Sequence, residues 1–140
     1  MNKLLTALVC AFLLLATGCF FGDAFVHRTV SLSFPVPQQQ TNVSLSVNDT
    51  EVQEALKLVD DVLVSDGYIR DSNPLTREDR ARGLIVFYGV CGVGLKDNRL
   101  DVDFVEPHRR HFSAPVRKVI EQLKDKLSSR YGAERVKVED

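Results

Sequence analysis

Two stretches of this chain repeat apolar residues at intervals of three and four. The first stripe is Val52, Ala55, Leu56, Val59, Val62 and Leu63, and the second is Val116, Val119, Ile120, Leu123, Leu127 and Tyr131. This spacing places the apolar side chains of each stretch on one side of a helix, so each helix must be covered on that side only. Two one-sided helices predict a helical layer on one face of a sheet.

The residues at the ends of both stripes are those that begin and end helices. Asn48 or Thr50, in either of two capping boxes, is predicted to begin the first helix, and Gly67 to end it. Ser113 is predicted to cap the second helix, which ends at Gly132. The remaining residues of the domain must therefore supply the sheet.

Alternating apolar and polar residues predict the strands. Residues 43–47 alternate cleanly and predict the first strand of the domain, whereas the earlier run 30–34 predicts either an additional edge strand or an extended arm. Residues 84–88 are apolar on both faces and predict a central strand. The apolar stretch 83–95, which contains them, is expected to form a hairpin with residues 100–104 around a turn at residues 96–98. Residues 136–138 predict a short final strand at an edge.

The predicted order is therefore strand, helix, strand, strand, helix, strand. This order resembles the ferredoxin-like split β-α-β architecture, which implies an α+β fold with two helices on one face of a four-stranded antiparallel sheet. A two-layer sandwich with another strand order is the alternative. We expect a single domain over residues 43–140, preceded by a tether over residues 19–42 that includes the additional strand or arm.

The first nineteen residues follow a different pattern. Lys3 and the amino terminus give a positive start, residues 4–16 are apolar apart from Thr6, and small residues precede Cys19. As a helix the apolar run is about 20 Å long, too short for a hydrocarbon core of about 30 Å. It has the length of the hydrophobic region of a signal peptide.

Residues 16–19, Ala-Thr-Gly-Cys, resemble the lipobox of bacterial lipoprotein signals, although that family prefers Leu where Ala16 stands. The resemblance implies that residues 1–18 are removed and that Cys19 becomes the lipid-bearing first residue. In that family Asp after the cysteine commonly marks inner-membrane retention, so Phe20 favours the periplasmic face of the outer membrane. An uncleaved apolar helix and a plain secretory signal are the alternatives.

Composition and spacing exclude several function classes. The formal net charge is −1, so nucleic acid is not an expected partner. With Cys10 removed and Cys19 lipidated, Cys91 would be the only thiol and is expected to be a small core residue. Strand alternation accounts for Asp101 and Asp103, and the glycine-rich residues 89–94 lack a phosphate-loop Lys-Ser/Thr pair, so no metal, cofactor or catalytic site is predicted.

The polar segment before the second helix is the strongest candidate binding site. Its arginines, with the amides at the helix start, can hold a phosphate or carboxylate, and its histidines would add charge below pH ~6.5. The candidate residues are His108, Arg109, Arg110, His111 and Ser113. The alternative is a loop whose charges merely face water.

Without a catalytic motif, the sequence favours a non-enzymatic outer-membrane lipoprotein whose periplasmic domain binds an envelope protein. The surfaces indicated for that partner are the exposed sheet face with Asp101 and Asp103 and the loop over residues 106–111. One alternative is a binder or hydrolase of small anions or peptidoglycan fragments that uses residues 108–111. A pilot lipoprotein of a secretion system is the other.

Overall fold

The computed structural model describes residues 25–35, 45–46, 48–107 and 109–140. Within these residues the fold is α+β, with one five-stranded antiparallel sheet and three α-helices. The elements are β1 (Phe25–Ser33), α1 (Thr50–Ser65), α2 (Arg77–Ala81), β2 (Leu84–Phe87), β3 (Cys91–Lys96), β4 (Arg99–Pro107), α3 (Ala114–Tyr131) and β5 (Val136–Glu139). The predicted signal segment 1–18 and Cys19 lie outside the described residues.

Both apolar stripes are confirmed as the core-facing sides of the two long helices, although Leu56 and Tyr131 are only half-buried. The buried side chains are Val52, Ala55, Val59, Val62 and Leu63 on α1 and Val116, Val119, Ile120, Leu123 and Leu127 on α3. The two helices pack against each other, and their stripes share one apolar core with Val30, Leu32, Val102 and Phe104 of the sheet. Both helices therefore cover the same sheet face, here called the inner face, and the opposite face is the outer face.

The predicted end of α1 at Gly67 is confirmed, whereas its predicted N-cap differs from the observed one. Asp49 is the N-cap of α1, so both predicted capping residues are wrong by one position. The Asp49 carboxylate accepts a hydrogen bond from the Ser46 amide at 2.8 Å and makes no side-chain cap bond to the helix. At the other end Gly67 has φ +89°, and the Tyr68 amide donates to the Leu63 carbonyl at 3.0 Å, as in a glycine-terminated helix.

The run that the sequence assigned to an edge strand or an arm is an interior strand. β1 pairs with β4 along its whole length, from Phe25 opposite Pro107 to Ser33 opposite Arg99, and its other side pairs with β5. Leu45 and Ser46, the described part of the predicted strand over residues 43–47, form no strand. Alternation locates a half-buried strand but carries no information about which strands flank it.

The strand predicted to be central is at an edge. The strand order is β2-β3-β4-β1-β5, with β2 and β5 as the two edges, so the prediction for β2 is wrong and that for β5 is confirmed. The chain turns at Gly89, which has φ +68°, and thereby separates β2 from β3. A Cβ built on Gly92 would lie 3.1 Å from side-chain atoms of both Leu84 and Phe87. Side chains of β2 therefore cover glycine on β3, which explains why an edge strand is so apolar.

The hairpin turn before β4 is confirmed. Asp97 and Asn98 connect β3 to β4 with φ values of 52° and 58°, the left-handed pair that a tight two-residue hairpin requires. The apolar stretch over residues 83–95, predicted as the other arm of this hairpin, forms two strands, β2 and β3, and β3 is the arm that pairs with β4. The sheet accordingly has one more strand than the predicted four.

Candidate functional site

The loop between β4 and α3 contains the predicted anion site, and an internal carboxylate occupies the helix end there. The Glu106 side chain is 13% exposed, and its Oε2 atom accepts a hydrogen bond from the Ser113 amide at 2.6 Å. Its Oε1 atom accepts from the Ser113 hydroxyl at 2.7 Å. The carboxylate of Glu106 thus supplies the negative charge that stabilises a helix N-terminus. Ser113 is the N-cap of α3 as predicted, but its hydroxyl bonds to Glu106 and makes no cap bond to the helix.

The basic residues of the site are on the surface. Arg109 is 56% exposed, and its Nε atom lies 3.9 Å from Oε1 of Glu106, at the outer limit of an ion pair. Arg110 and His111 are exposed, and no ion pair joins them to other described residues. His108 lies outside the described residues. The structure therefore brings Arg109 and Ser113 to one carboxylate, and an incoming anion would meet the charge of Glu106.

A third arginine, missed in the sequence, lies at the same end of the sheet. The guanidinium carbon of Arg28 is 5.9 Å from the centre of the Phe112 ring, and its Nε atom donates to the Asp140 carboxylate. Phe112 is only 6% exposed, so the guanidinium covers a ring that is otherwise buried. The available signal was spacing, because Arg28 precedes inward-facing Val30 by two residues and so shares its face.

The outer face holds the two aspartates as partners of cross-strand hydroxyl groups. The Thr29 hydroxyl donates to Asp103 at 2.5 Å, and the Ser31 hydroxyl donates to Asp101 at 2.6 Å. Arg99 Nε lies 2.8 Å from Asp101, and this hydrogen bond raises the pKa of the Arg99 guanidinium. Charge-assisted bonds of this kind stabilise neighbouring strands. Alternation placed both aspartates on this face correctly but could not identify their partners.

The described residues contain no group of three or more potential metal ligands. Asp103 has one nearby imidazole, because His27 Nε2 lies 3.6 Å from its Oδ1 atom. Cys91 is 3% exposed and packs in the core, as predicted. Burial, with a smaller contribution from the charge of Asp103, raises the pKa of the Cys91 thiol to about 12. The thiol is therefore protonated at neutral pH, the opposite of what a nucleophilic cysteine needs.

A cleft of about 560 Å³ lies between α1 and β2. Its lining includes Asp60 and Arg70, together with Tyr88 directly after β2. Tyr88 is 2% exposed, and its hydroxyl donates to the Asp60 carboxylate. Burial, together with this bond to a carboxylate, raises the pKa of Tyr88, so the phenol remains a donor. This pair joins α1 to the edge of the sheet and was not predicted from the sequence.

Comparison with protein-family models, with curated proteins and with solved structures finds no match for this chain. No helix within the described residues has both the length and the apolar character needed to cross a membrane.

Proposed function

We propose that this protein is a lipoprotein of the bacterial envelope, held at the periplasmic face of the outer membrane by lipid on Cys19. Its α+β domain would act there as a non-enzymatic interaction module for another envelope protein. The observation that carries the proposal is the order within residues 1–19: a positive start, a short apolar run, small residues and a cysteine. Each buried methylene group contributes about 0.8 kcal/mol, so two or more acyl chains hold a protein firmly on a bilayer.

Two features of the domain support an interaction role. α1 and α3 both pack on the inner face, so neither of the long helices covers the outer face. The outer face carries polar side chains already hydrogen-bonded to one another across strands, such as Thr29 with Asp103. An ordered polar face lets a partner bind without first paying the entropy of arranging these groups.

The architecture that we propose is a ferredoxin-like core with an added edge strand. The order β3-β4-β1-β5, with α1 after β1 and α3 after β4, supports this assignment. The strand β2 pairs with β3 and so adds a fifth strand at that edge of the sheet. Such cores occur with many unrelated activities, so the proposed function depends on the lipid-anchor signal and not on the architecture.

The test is to replace the lipid acceptor in the whole chain. Protein with the natural sequence is expected to carry lipid mass on its amino-terminal residue and to fractionate with outer membranes, and Cys19→Ser is expected to lose both properties. Cys10→Ser is the matched control, because it removes a thiol from the segment that is cleaved. If Cys19→Ser retains the attached mass and the membrane association, the proposal is wrong.

One observation keeps the anion-binding alternative open for a direct test. Arg110 and His111 are exposed beside Arg109 and have no acidic partner among the described residues. Titration with phosphate, followed by NMR, would shift amides of residues 109–117 if this loop is the site. The shift should vanish in Arg109→Ala/Arg110→Ala, and a titration without any shift would remove this alternative.

A further inference from the structure

Six chain segments begin or end at one end of the domain, here called the proximal end. β1 begins there and β4 ends there, because Phe25 is paired with Pro107. α3 also begins there, because the amide of its N-cap Ser113 donates to Glu106 near the end of β4. The end of α1 is also there, since Lys118 in α3 lies 3.1 Å from Asp66, the residue after α1. The start of β3 and the end of β5 complete the set. The opposite, distal end holds the hairpin turn at residues 97–98 and the short helix α2.

Most of the exposed large apolar side chains of the described residues lie at the proximal end. Of the large apolar side chains that are exposed in the described residues, Phe25, Val64, Ile69 and Val105 lie at this end, and Val138 lies on the edge strand β5. Ile69 is 84% exposed and Phe25 is 67% exposed. Apolar side chains collected at one end mark a surface that another phase or molecule covers.

The same end has more free positive than free negative charge. Asp66, Glu106 and Asp140 each accept a hydrogen bond within the domain, from Lys118, Ser113 and Arg28 respectively. Arg109 and Arg110 are exposed without such a close bond. Phosphate oxygens of lipid headgroups are suitable partners for these guanidinium groups, and apolar side chains enter the acyl boundary beside them.

The position of the lipid places this end nearest to the bilayer. Only residues 20–24 separate Cys19 from Phe25, so at full extension this part of the chain spans about 20 Å. By comparison, the 18 residues of α3 make a helix about 27 Å long, which runs from the proximal to the distal end. The anchor therefore cannot hold the proximal end far from the membrane.

We propose that the proximal end of the domain lies directly on the phospholipid surface, with Ile69 and Phe25 at the acyl boundary and Arg109 and Arg110 on headgroup phosphates. This inference rests on the proposed lipidation of Cys19. The occupant of the surface is the bilayer itself, and the outer face of the sheet stays free for a protein partner. The domain then has one orientation on the membrane.

The test measures the distance of two labels from lipid. The lipidated full chain is placed in vesicles of phosphatidylethanolamine and phosphatidylglycerol that contain nitroxide-bearing headgroups. A fluorophore is attached to Ile69→Cys at the proximal end or, as the matched control, to Lys96→Cys at the distal end, and Cys91 is too buried to label. We expect a severalfold greater loss of fluorescence at position 69. Equal losses, or a greater loss at position 96, would overturn the inference.

A charge variant tests the headgroup contacts. Arg109→Ala/Arg110→Ala is expected to reduce the loss of fluorescence at position 69, whereas Arg80→Ala/Arg82→Ala in and after α2 should leave it unchanged. Equal effects of the two double variants would contradict a specific role for the loop. Mass spectrometry separates the two proposals. Absence of lipid on Cys19 refutes the proposed function and with it this inference. Equal losses of fluorescence at positions 69 and 96 in a lipidated protein refute the inference alone.

Discussion

Removal of the Glu106 carboxylate tests whether the loop before α3 is a structural cap or an open anion site. Glu106 makes two short bonds to Ser113, at 2.6 and 2.7 Å, and its side chain is 13% exposed. Hydrogen bonds to a charged group contribute about 1.5–3 kcal/mol, and a charge at a helix terminus adds about 0.3–1 kcal/mol. We expect Glu106→Ala to lower the free energy of unfolding by about 2–3 kcal/mol, since solvent partly replaces the lost bonds. Glu106→Gln, which keeps an acceptor oxygen, should cost about 1 kcal/mol.

Urea unfolding of the purified protein measures both values. The matched control is Glu121→Ala on the exposed side of α3, where the carboxylate is 59% exposed and lies 3.3 Å from Lys124, and its effect should stay within about 0.5 kcal/mol. Added phosphate should stabilise Glu106→Gln more than the natural sequence, because the competing charge is gone. An effect of Glu106→Ala as small as that of the control would refute the capping argument.

Three further perturbations follow from the packing. Gly83→Ala should destabilise the protein by about 1–2 kcal/mol through its positive φ alone, and by more because the added Cβ would lie 2.6 Å from a backbone carbonyl oxygen. Gly67→Ala is the control, because it has open space around it and carries only the φ penalty. Equal losses of stability in urea unfolding would refute the clash at Gly83. The folded-state pKa of Cys91 is raised from its ordinary 9.0 to about 12, so the unfolding free energy should fall as pH rises from 9 to 12, and less steeply in Cys91→Ala; identical slopes would contradict this. Tyr88→Phe removes the donor to Asp60 and should cost about 1 kcal/mol, whereas a neutral result would show that the bond contributes nothing net.

The helices were predictable from sequence because their evidence is local. The spacing of Val59, Val62 and Leu63, or of Leu123 and Leu127, depends only on the pitch of a helix, and all five are buried as expected. A glycine that accepts positive φ likewise ends a helix whatever surrounds it. These inferences hold because neighbours along the chain determine them.

Inferences about the sheet failed where distant segments decide the outcome. The apolar character of residues 84–88 indicated a central strand, but β2 is an edge strand whose side chains pack over Gly92 of β3. The run over residues 30–34 was expected to form an edge strand or an arm, whereas β1 begins at Phe25 and pairs with a strand on each side. The residues of a strand indicate only whether each of its faces is apolar or polar. The element that covers a face can come from anywhere in the chain.

The candidate site was likewise predictable only where its features are local in the sequence. The composition of the loop was sufficient to indicate a helix N-terminus with basic residues beside it, and Ser113 is indeed the N-cap. That Glu106 turns its carboxylate onto this helix end, and that Arg28 reaches Phe112 from another strand, depends on how β4 and β1 are placed. By itself the sequence determined both long helices, and the proposed lipid-anchor signal likewise depends only on features that are contiguous along the chain. Only the tertiary structure decided which charges are paired and which surface remains open, because pairing depends on distances between residues that the chain separates widely.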